Sequence, residues 1–380
     1  MVMSGGFAEL GTDEGRALQK EIAEIAGTGI RVMGPNTSGL VSAPTGFLSS
    51  MYPLGRIRRG TVAYVGQTGN FGTHGLHWLL SNESYGVSRV VGLGNQVDVG
   101  FAEVFEYLAE DMETETVCVY IEGLGEEGDE RFIEAARRLS RRKPVIALKG
   151  GATLAGARAV GLHTASRLTG WEAETVFAKT GIVRVERYQD LFEHTKALAF
   201  QPLPRGNRVA VIVPSGGMGV MAADACEREG LELATLSEET LGKLRALSQP
   251  WITVSDPIDY WSAVLGRGVE GAYGPGMEAV LEDPGVDALV SITIVLDGEP
   301  MPDFSFVRLL AVRHPDKPIL MAISGDKKPF EEARRFLEER SVPVYLPVEG
   351  AIEALGTMYR CSRARMPAEV LGNLPAGKHG

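Results

Sequence analysis

Cysteine is scarce: Cys118, Cys226 and Cys361 are the only three in 380 residues. Their wide spacing fits neither a disulfide framework nor a zinc motif. No stretch approaches the roughly 18 consecutive apolar residues that a spanning helix needs, and no signal peptide opens the chain. Positive charge is in deficit, with 38 Lys plus Arg against 49 Asp plus Glu and a formal net charge of −11. A dedicated nucleic-acid binder wants a basic face, so that class is disfavoured. What remains is ordinary for a globular chain, 44% hydrophobic and 23% charged, and long enough to bury more than one core. The expectation is a reduced, cytoplasmic protein of two or three domains that neither spans a membrane nor binds nucleic acid. The 47 glycines and 20 prolines promise many short turns.

Periodicity sets the organisation. Leu18, Ile22 and Ile25 recur at core spacing and predict a helix from about Thr12 to Ala26. A short strand is expected at Ile30–Met33, ending in Gly34-Pro35-Asn36. From Thr61 the pattern becomes regular, with apolar runs at Val62–Val65, Val87–Val91, Val117–Ile121, Val145–Leu148 and Ile182–Val185. Helix-length segments lie between them, the first at Phe71–Leu80. Near-continuous apolar strands alternating with helices predict an α/β fold whose parallel sheet is covered on both faces. Pro202-Leu203-Pro204-Arg205-Gly206 reads as a linker. A second alternating set then runs from Val209–Val213 to a helix at Ile352–Tyr359, and includes a short helix at Gly276–Leu281.

Ligands of open parallel sheets bind beyond the carboxyl ends of the strands, so the residues that follow each strand carry the chemistry. Gly66-Gln67-Thr68-Gly69-Asn70-Phe71-Gly72 follows one strand and opens a helix; Pro214-Ser215-Gly216-Gly217-Met218-Gly219 does the same further on. Exposed backbone N–H groups at the positive end of a helix dipole hold phosphate, although either loop alone is equally a tight βα turn. Glu122 follows Val117–Ile121 and either faces the ligand crevice or is a solvated turn residue. A long small-residue loop, Lys149 to Gly170, carries His163. A neutral imidazole is a nucleophile able to form a phospho-intermediate, and a carboxylate on its other nitrogen fixes the tautomer. Glu122 could play that part, because both residues follow strands of one sheet; an ordinary loop histidine stays open. His74 and His77 lie three apart with no third ligand in view, so no metal site is expected. Ser255-Asp256-Pro257-Ile258-Asp259 is a turn signature, with Asp259 able to line a site.

Taken in order, these residues resemble the NDP-forming acyl-CoA synthetases, the superfamily that includes succinyl-CoA synthetase. Gly34-Pro35-Asn36 matches the Gly-Pro-Asn that ends the family's CoA-binding domain, and Gly66-Gln67-Thr68-Gly69 resembles its Ser-Gln-Ser-Gly phosphate loop. Gly92-Leu93-Gly94-Asn95-Gln96-Val97-Asp98 is similar to its Ser-Leu-Gly-Asn-Lys-Xaa-Asp segment, and Tyr120-Ile121-Glu122-Gly123 to Tyr-Leu-Glu-Gly. His163-Thr164 stands where the family has its phosphohistidine loop. Ser215-Gly216-Gly217-Met218-Gly219 with Asp224 resembles the Gly-Gly-Xaa-Gly…Asp of the domain that supplies a second phosphate-binding helix.

The resemblance implies the fold as well as the activity. Residues 1–56 would be the C-terminal part of a Rossmann-like CoA-binding domain, and 57–203 a flavodoxin-like domain with the phosphohistidine loop. Residues 204–366 would be a second flavodoxin-like ligase domain, and 367–380 a tail. The activity implied is acid–thiol ligation: an NTP phosphorylates His163, a swinging loop carries the phosphoryl group to a carboxylate, and CoA thiol attacks the acyl phosphate. Catalysis would fall to His163 and Glu122. Phosphate would be bound by Gln67, Thr68, Gly69, Asn70, Ser215, Gly216 and Gly217, with two helix N-termini converging on it, and CoA by Pro35 and Asn36. The partners implied are a small carboxylic acid, CoA, and an ATP-grasp chain bringing ATP or another NTP with Mg, in an oligomer. The sequence departs from the family at several points. The glycine-rich first half of the CoA-binding domain and the ATP-grasp domain have no counterpart here. Leu162 and Ala165 replace Ser and Gly, Arg167 enters a small-residue segment, and Thr37 stands where many members have Cys. The alternative reading is a non-catalytic acyl-CoA-binding or scaffolding homologue.

Overall fold

The computed structural model describes residues 1–67, 69, 74–124, 129–163, 170–346 and 348–366. These fall into two compact units, Met1–Thr195 with Ala364–Met366, and Lys196–Arg363.

The first unit opens with a 3-10 turn at Ala8–Leu10 and helix α1, Asp13–Ala26. Thr12 caps α1 by accepting the Gly15 N–H at 3.1 Å, and Asp13 and Glu14 sit at the positive end of its dipole. The strand expected at Ile30–Met33 is not a strand. The segment is held by single bonds, Val2 N–H to Met33 O at 3.0 Å and Val99 N–H to Val32 O at 3.1 Å. Gly34, at φ 102°, and Pro35, which lacks an N–H, end any ladder before it can extend. Two strands that periodicity did not reveal follow: β1, Gly39–Ser42, and β2, Phe47–Ser50, joined by a turn at Ala43–Gly46.

The alternating part then runs β3 (Arg59–Gly66), α2 (Leu76–Asn82), β4 (Val87–Gly92), α3 (Phe101–Glu110), β5 (Thr116–Ile121) and α4 (Asp129–Arg142). It continues through β6 (Val145–Lys149), α5 (Leu154–His163), α6 (Gly170–Thr180), β7 (Val183–Val185) and α7 (Asp190–Phe200), which from Lys196 on belongs to the second unit. The sheet order is β2-β1-β4-β3-β5-β6-β7, with β1 antiparallel to β2 and β4 and the other five strands parallel. Among those five, the strand that comes first in the chain has the second and third as its neighbours, the flavodoxin-like order. Its switch point lies between β3 and β5. Val65, Phe105, Ile121, Phe132 and Leu139 form the core beneath it.

The second unit repeats this plan with β8 (Arg208–Val213), α8 (Gly216–Arg228), β9 (Glu232–Leu233), α9 (Glu238–Leu247), β10 (Ile258–Asp259) and α10 (Trp261–Glu282). β11 (Ala288–Val295), α11 (Ser305–Arg313), β12 (Ile319–Gly325), α12 (Lys327–Glu338), β13 (Val344–Tyr345) and α13 (Val348–Arg365) complete it. The order is β10-β8-β11-β12-β13, all parallel, with β9 also on β8. One edge of β8 is therefore shared: β9 pairs its start at Arg208 and Val209, and β10 pairs its end at Ile212 and Val213. The helix expected at Gly276–Leu281 is only the last part of α10, which turns at Gly268 (φ 72°) and carries Pro275 inside. Gly276 lies against the Tyr260 ring, where a Cβ would collide.

Among the described residues no helix is long and apolar enough to cross a membrane.

Candidate functional site

The switch point of the first unit is built by the residues that follow β3, β5 and β6. Gln67 comes directly after β3, and its backbone N–H donates to Tyr120 O at 3.2 Å, extending the β3–β5 ladder by one rung. Its side chain then crosses to the end of β5. Gln67 Oε1 accepts the Glu122 N–H at 3.0 Å and the Gly123 N–H at 2.9 Å. Glu122 is buried, with 4% of its surface exposed, so the solvated-turn reading is set aside. Tyr120 Oη donates to Glu122 Oε1 at 3.2 Å, and burial with the neighbouring carboxylate pushes the phenol far above its usual range.

Lys149 closes β6 and is also buried. Its Nζ donates to the Glu122 backbone carbonyl at 2.8 Å and to Gly150 O. Burial lowers the pKa of the ammonium, and the Glu122 charge offsets part of that fall. Gly150 has to be small, because a Cβ there would lie 2.5 Å from Tyr120 Oη and 3.1 Å from Glu122 Cγ. Three strand ends thus converge on one residue. Gln67 holds the N–H of Glu122, Lys149 holds its carbonyl and Tyr120 holds its carboxylate.

The segment from Lys149 to Gly170, expected as one long loop, contains a helix. Thr153 caps α5 by accepting the Gly156 N–H at 3.1 Å, and Leu154 to His163 follow it as a helix rich in small residues. Gly151, at φ 74°, lets the preceding turn lie against Val160. His163 is the last residue of α5; its side chain, and with it the suggested pairing to Glu122, lies outside the described residues. Thr68, Asn70, Thr164, Ala165 and Arg167 also lie outside them.

A second layer of contacts packs the N-terminal segment on the loop after β4. Asn95 N–H donates to Pro35 O at 2.9 Å, Val97 N–H to Gly34 O at 3.1 Å, and Leu93 N–H to Gly66 O at 2.8 Å. Asn36 N–H donates to Ser4 O at 2.9 Å. Asn95 Nδ2 donates to Glu9 Oε2 at 2.6 Å and Gln19 Oε1 at 2.9 Å. Burial would raise the Glu9 carboxyl, but hydrogen bonds from Asn95 and from the Gly6 and Phe7 amides hold it below its ordinary pKa. Thr37 is buried, donates to Gly92 O at 2.5 Å and accepts the Gly39 N–H at 3.1 Å. The Pro35 carbonyl and the Thr37 hydroxyl thus tie this segment to β4 and the loop after it, and a Cβ on Gly69 would lie 3.7 Å from Ser38 Cβ.

In the second unit, Ser215 caps α8 by accepting the Met218 N–H at 3.4 Å. Gly216 and Gly217 are exposed at the helix start, and Gly217 has open space where a Cβ would stand. Asp259 lies close to Gly216 and accepts the Trp261 N–H at 3.2 Å, whereas Asp224 is exposed along α8. His74 and His77 are both exposed.

Comparison with known proteins bears on the two α/β units. Residues 59–198 match the succinyl-CoA ligase-like flavodoxin domain, and residues 209–369 match the ligase-CoA domain. The alpha subunit of the ADP-forming acetate–CoA ligase II of Pyrococcus furiosus is 32% identical over 351 residues, which is 91% of this chain and 74% of that one. The chain belongs to the NDP-forming acyl-CoA synthetase family. Another acyl-CoA synthetase of that kind, the ADP-forming acetate–CoA ligase II of Archaeoglobus fulgidus, is 33% identical over 372 residues. That match takes in 96% of this chain but 54% of the relative, so the chain spans about half the length of that synthetase. Among solved structures, the ADP- and phosphate-bound acetyl-coenzyme A synthetase 1 of Ca. Korarchaeum cryptofilum superposes with a TM-score of 0.86 at 29% identity. It is matched over 99% of this chain and 79% of that one. The two parallel-sheet domains expected from the alternating pattern are those of the synthetase family.

Sequence reasoning singled out Gln67 and Glu122, but missed that Gln67 grips Glu122. It also passed over Lys149 and Tyr120. A lysine ending the apolar run Val145-Ile146-Ala147-Leu148 was the one available signal.

Proposed function

We propose that the chain is the acyl-transferring half of an NDP-forming acyl-CoA synthetase and uses His163 as phosphoryl carrier. The observation that carries this reading is the buried Glu122 at the β3–β5 switch point, held through its N–H, carbonyl and carboxylate by three neighbouring strand ends. A buried carboxylate held so firmly suits the task of orienting an imidazole and balancing the charge it gains.

In the proposed reaction an imidazole nitrogen of His163 attacks the γ-phosphorus of ATP; the N–P bond forms and the bond to the ADP oxygen breaks. The substrate carboxylate then takes the phosphoryl group, breaking N–P and forming an acyl phosphate. CoA thiolate attacks the acyl carbon, the C–S bond forms and inorganic phosphate leaves. Each phosphoryl state carries a dianion. The donors assigned to it are Gln67, Thr68, Gly69 and Asn70 in one glycine-containing segment of the sequence and Ser215, Gly216 and Gly217 in the other. Pro35 and Asn36 are the residues of the N-terminal segment assigned to CoA, and a nucleotide-binding ATP-grasp chain is the assigned partner that supplies NTP and Mg.

The test is incubation with γ-labelled ATP, Mg and the nucleotide-binding subunit of a family member, with the carboxylic acid and CoA left out because together they discharge the phosphohistidine. A base-stable, acid-labile label on this chain that is lost in His163→Ala supports the reading. Absence of label with a subunit that labels its own partner overturns it. Acyl-CoA binding that is indifferent to His163→Ala, without label, would mark a binding module instead.

A further inference from the structure

We infer that Lys149 is a positioning residue for Glu122, holding the carboxylate-bearing residue in register through its backbone. This rests on the reading that His163 and Glu122 transfer a phosphoryl group, and adds a residue to the machinery of that site.

An ammonium taken out of water loses several kcal/mol of hydration even after relaxation, on the order that buried ions generally show. Lys149 is nevertheless 5% exposed. Its Nζ donates to two backbone carbonyls, those of Glu122 and Gly150. Neither acceptor needs a charge to be satisfied; water or a neutral donor would serve both. A charge kept in such a place acts on what surrounds it.

Three features show what the cation does there. First, it fixes the carbonyl of the one residue whose N–H Gln67 already fixes, so the peptide units on both sides of the Glu122 Cα are anchored. Second, Tyr120 and Gly150 leave the Glu122 side chain little room on that side, the first by its hydroxyl and the second by having no Cβ. Third, β5 and β6 pair up to Ile121 and Lys149, so the lysine reaches Glu122 from the last rung of the ladder, where the sheet is still rigid. Functional groups held by residues that are themselves locked by packing stay within the tolerance that chemistry requires.

The experiment uses the whole chain and ³²P-labelled acetyl phosphate as phosphoryl donor. Attack by His163 breaks the P–O bond to acetate, forms N–P and releases acetate, so no nucleotide partner is needed. Lys149→Met is expected to slow labelling by about 100-fold, the scale of an ångström-level misplacement. The decisive arm is a double-mutant cycle with Glu122→Gln. If Lys149 acts through Glu122, Lys149→Met in the Glu122→Gln background changes the labelling rate by less than about threefold. Lys149→Arg, which keeps charge and donors, is expected to recover part of the rate. Full and independent losses in the cycle, or wild-type labelling in Lys149→Met, overturn the inference and leave the phosphohistidine reading standing. A wild-type chain that takes no label removes both. Should Lys149→Met not fold, Lys149→Gln runs the same cycle, with melting temperature as the check.

Discussion

Asp256 Oδ1 accepts the Val211 N–H at 3.0 Å, in the gap between the two short strands that share one edge of β8. β9 has ended below Val211 and β10 has not yet begun, so a side chain completes the ladder. A carboxylate does this at a cost. Burial pushes the Asp256 pKa up to about 7, with hydrogen bonds from the Val211 and Ala234 amides pulling the other way.

The sign of the linkage follows from that shift. An unfolded aspartate loses its proton near pH ~3.9, whereas the folded one keeps it until about pH 7. Stability contributed by the protonated form is present at low pH and is lost as pH rises through that window. Asp256→Asn retains an oxygen for Val211 and cannot ionise. Its unfolding free energy, measured in urea, is expected to exceed that of wild type by a few kcal/mol at pH 8, at about 1.4 kcal/mol per pH unit between the two pKa values, and to approach it at pH 4.5. A difference independent of pH would refute this account.

The buried pair Lys196–Glu338 gives a second expectation. Nζ and Oε1 are 3.0 Å apart, with 4% and 0% of the two side chains exposed. Lys196 also donates to Val344 O at 2.8 Å and lies 4.7 Å from the centre of the Tyr345 ring. Glu338→Ala strands an ammonium and is expected to cost about 3–5 kcal/mol, whereas Lys196→Met with Glu338→Leu recovers most of it. Equal losses in the single and double variants, measured by denaturant unfolding, would show that the charge pairing is not what matters.

Gly94 tests the seating of the N-terminal segment. Its φ is 61°, and a Cβ would run into the carbonyl of Pro35. Gly298 has φ 85° but nothing within 4 Å of a Cβ. Gly298→Ala should cost only the left-handed backbone penalty, roughly 1–2 kcal/mol. Gly94→Ala should cost that and also open the Asn95–Pro35 contact, visible as faster hydrogen exchange at the Asn95 amide. Identical behaviour of the two variants would contradict the close approach.

How far the sequence led can be judged from the same residues. The strands β3 to β6 were legible because parallel strands buried on both faces are written as near-continuous apolar runs, such as Val62–Val65 and Val117–Ile121. The β1–β2 hairpin was not, since four-residue strands flanked by Gly39 and Gly46 carry too little alternation. Helices α5 and α10 were obscured by composition: Gly151, Gly156 and Gly161 in and before one, and Gly266, Gly268, Gly271 and Pro275 in the other. Glu122 stood out because it follows a strand. The holders of its backbone did not, because a hydrogen bond from Lys149 to a carbonyl leaves no pattern of spacing.

Gln67 provides the last expectation, because its two roles can be separated. As a clamp it accepts two N–H groups through one oxygen; as a phosphate-loop residue it would stand beside an incoming dianion. Gln67→Glu keeps the acceptor, so the Glu122 and Gly123 amides remain satisfied, but a second buried carboxylate beside Glu122 costs stability as pH rises and its charge forms. It also brings a second carboxylate to the place where the phosphoryl group is proposed to arrive, and labelling from acetyl phosphate should fall on the order of 100-fold. Gln67→Ala removes the acceptor and leaves both amides to find water, at about 1–3 kcal/mol for each that cannot. Stability should drop at every pH in the Ala variant but only with rising pH in the Glu variant, and labelling should fall in both. If Gln67→Glu labelled as fast as wild type, the residue would be a clamp and no part of the anion site.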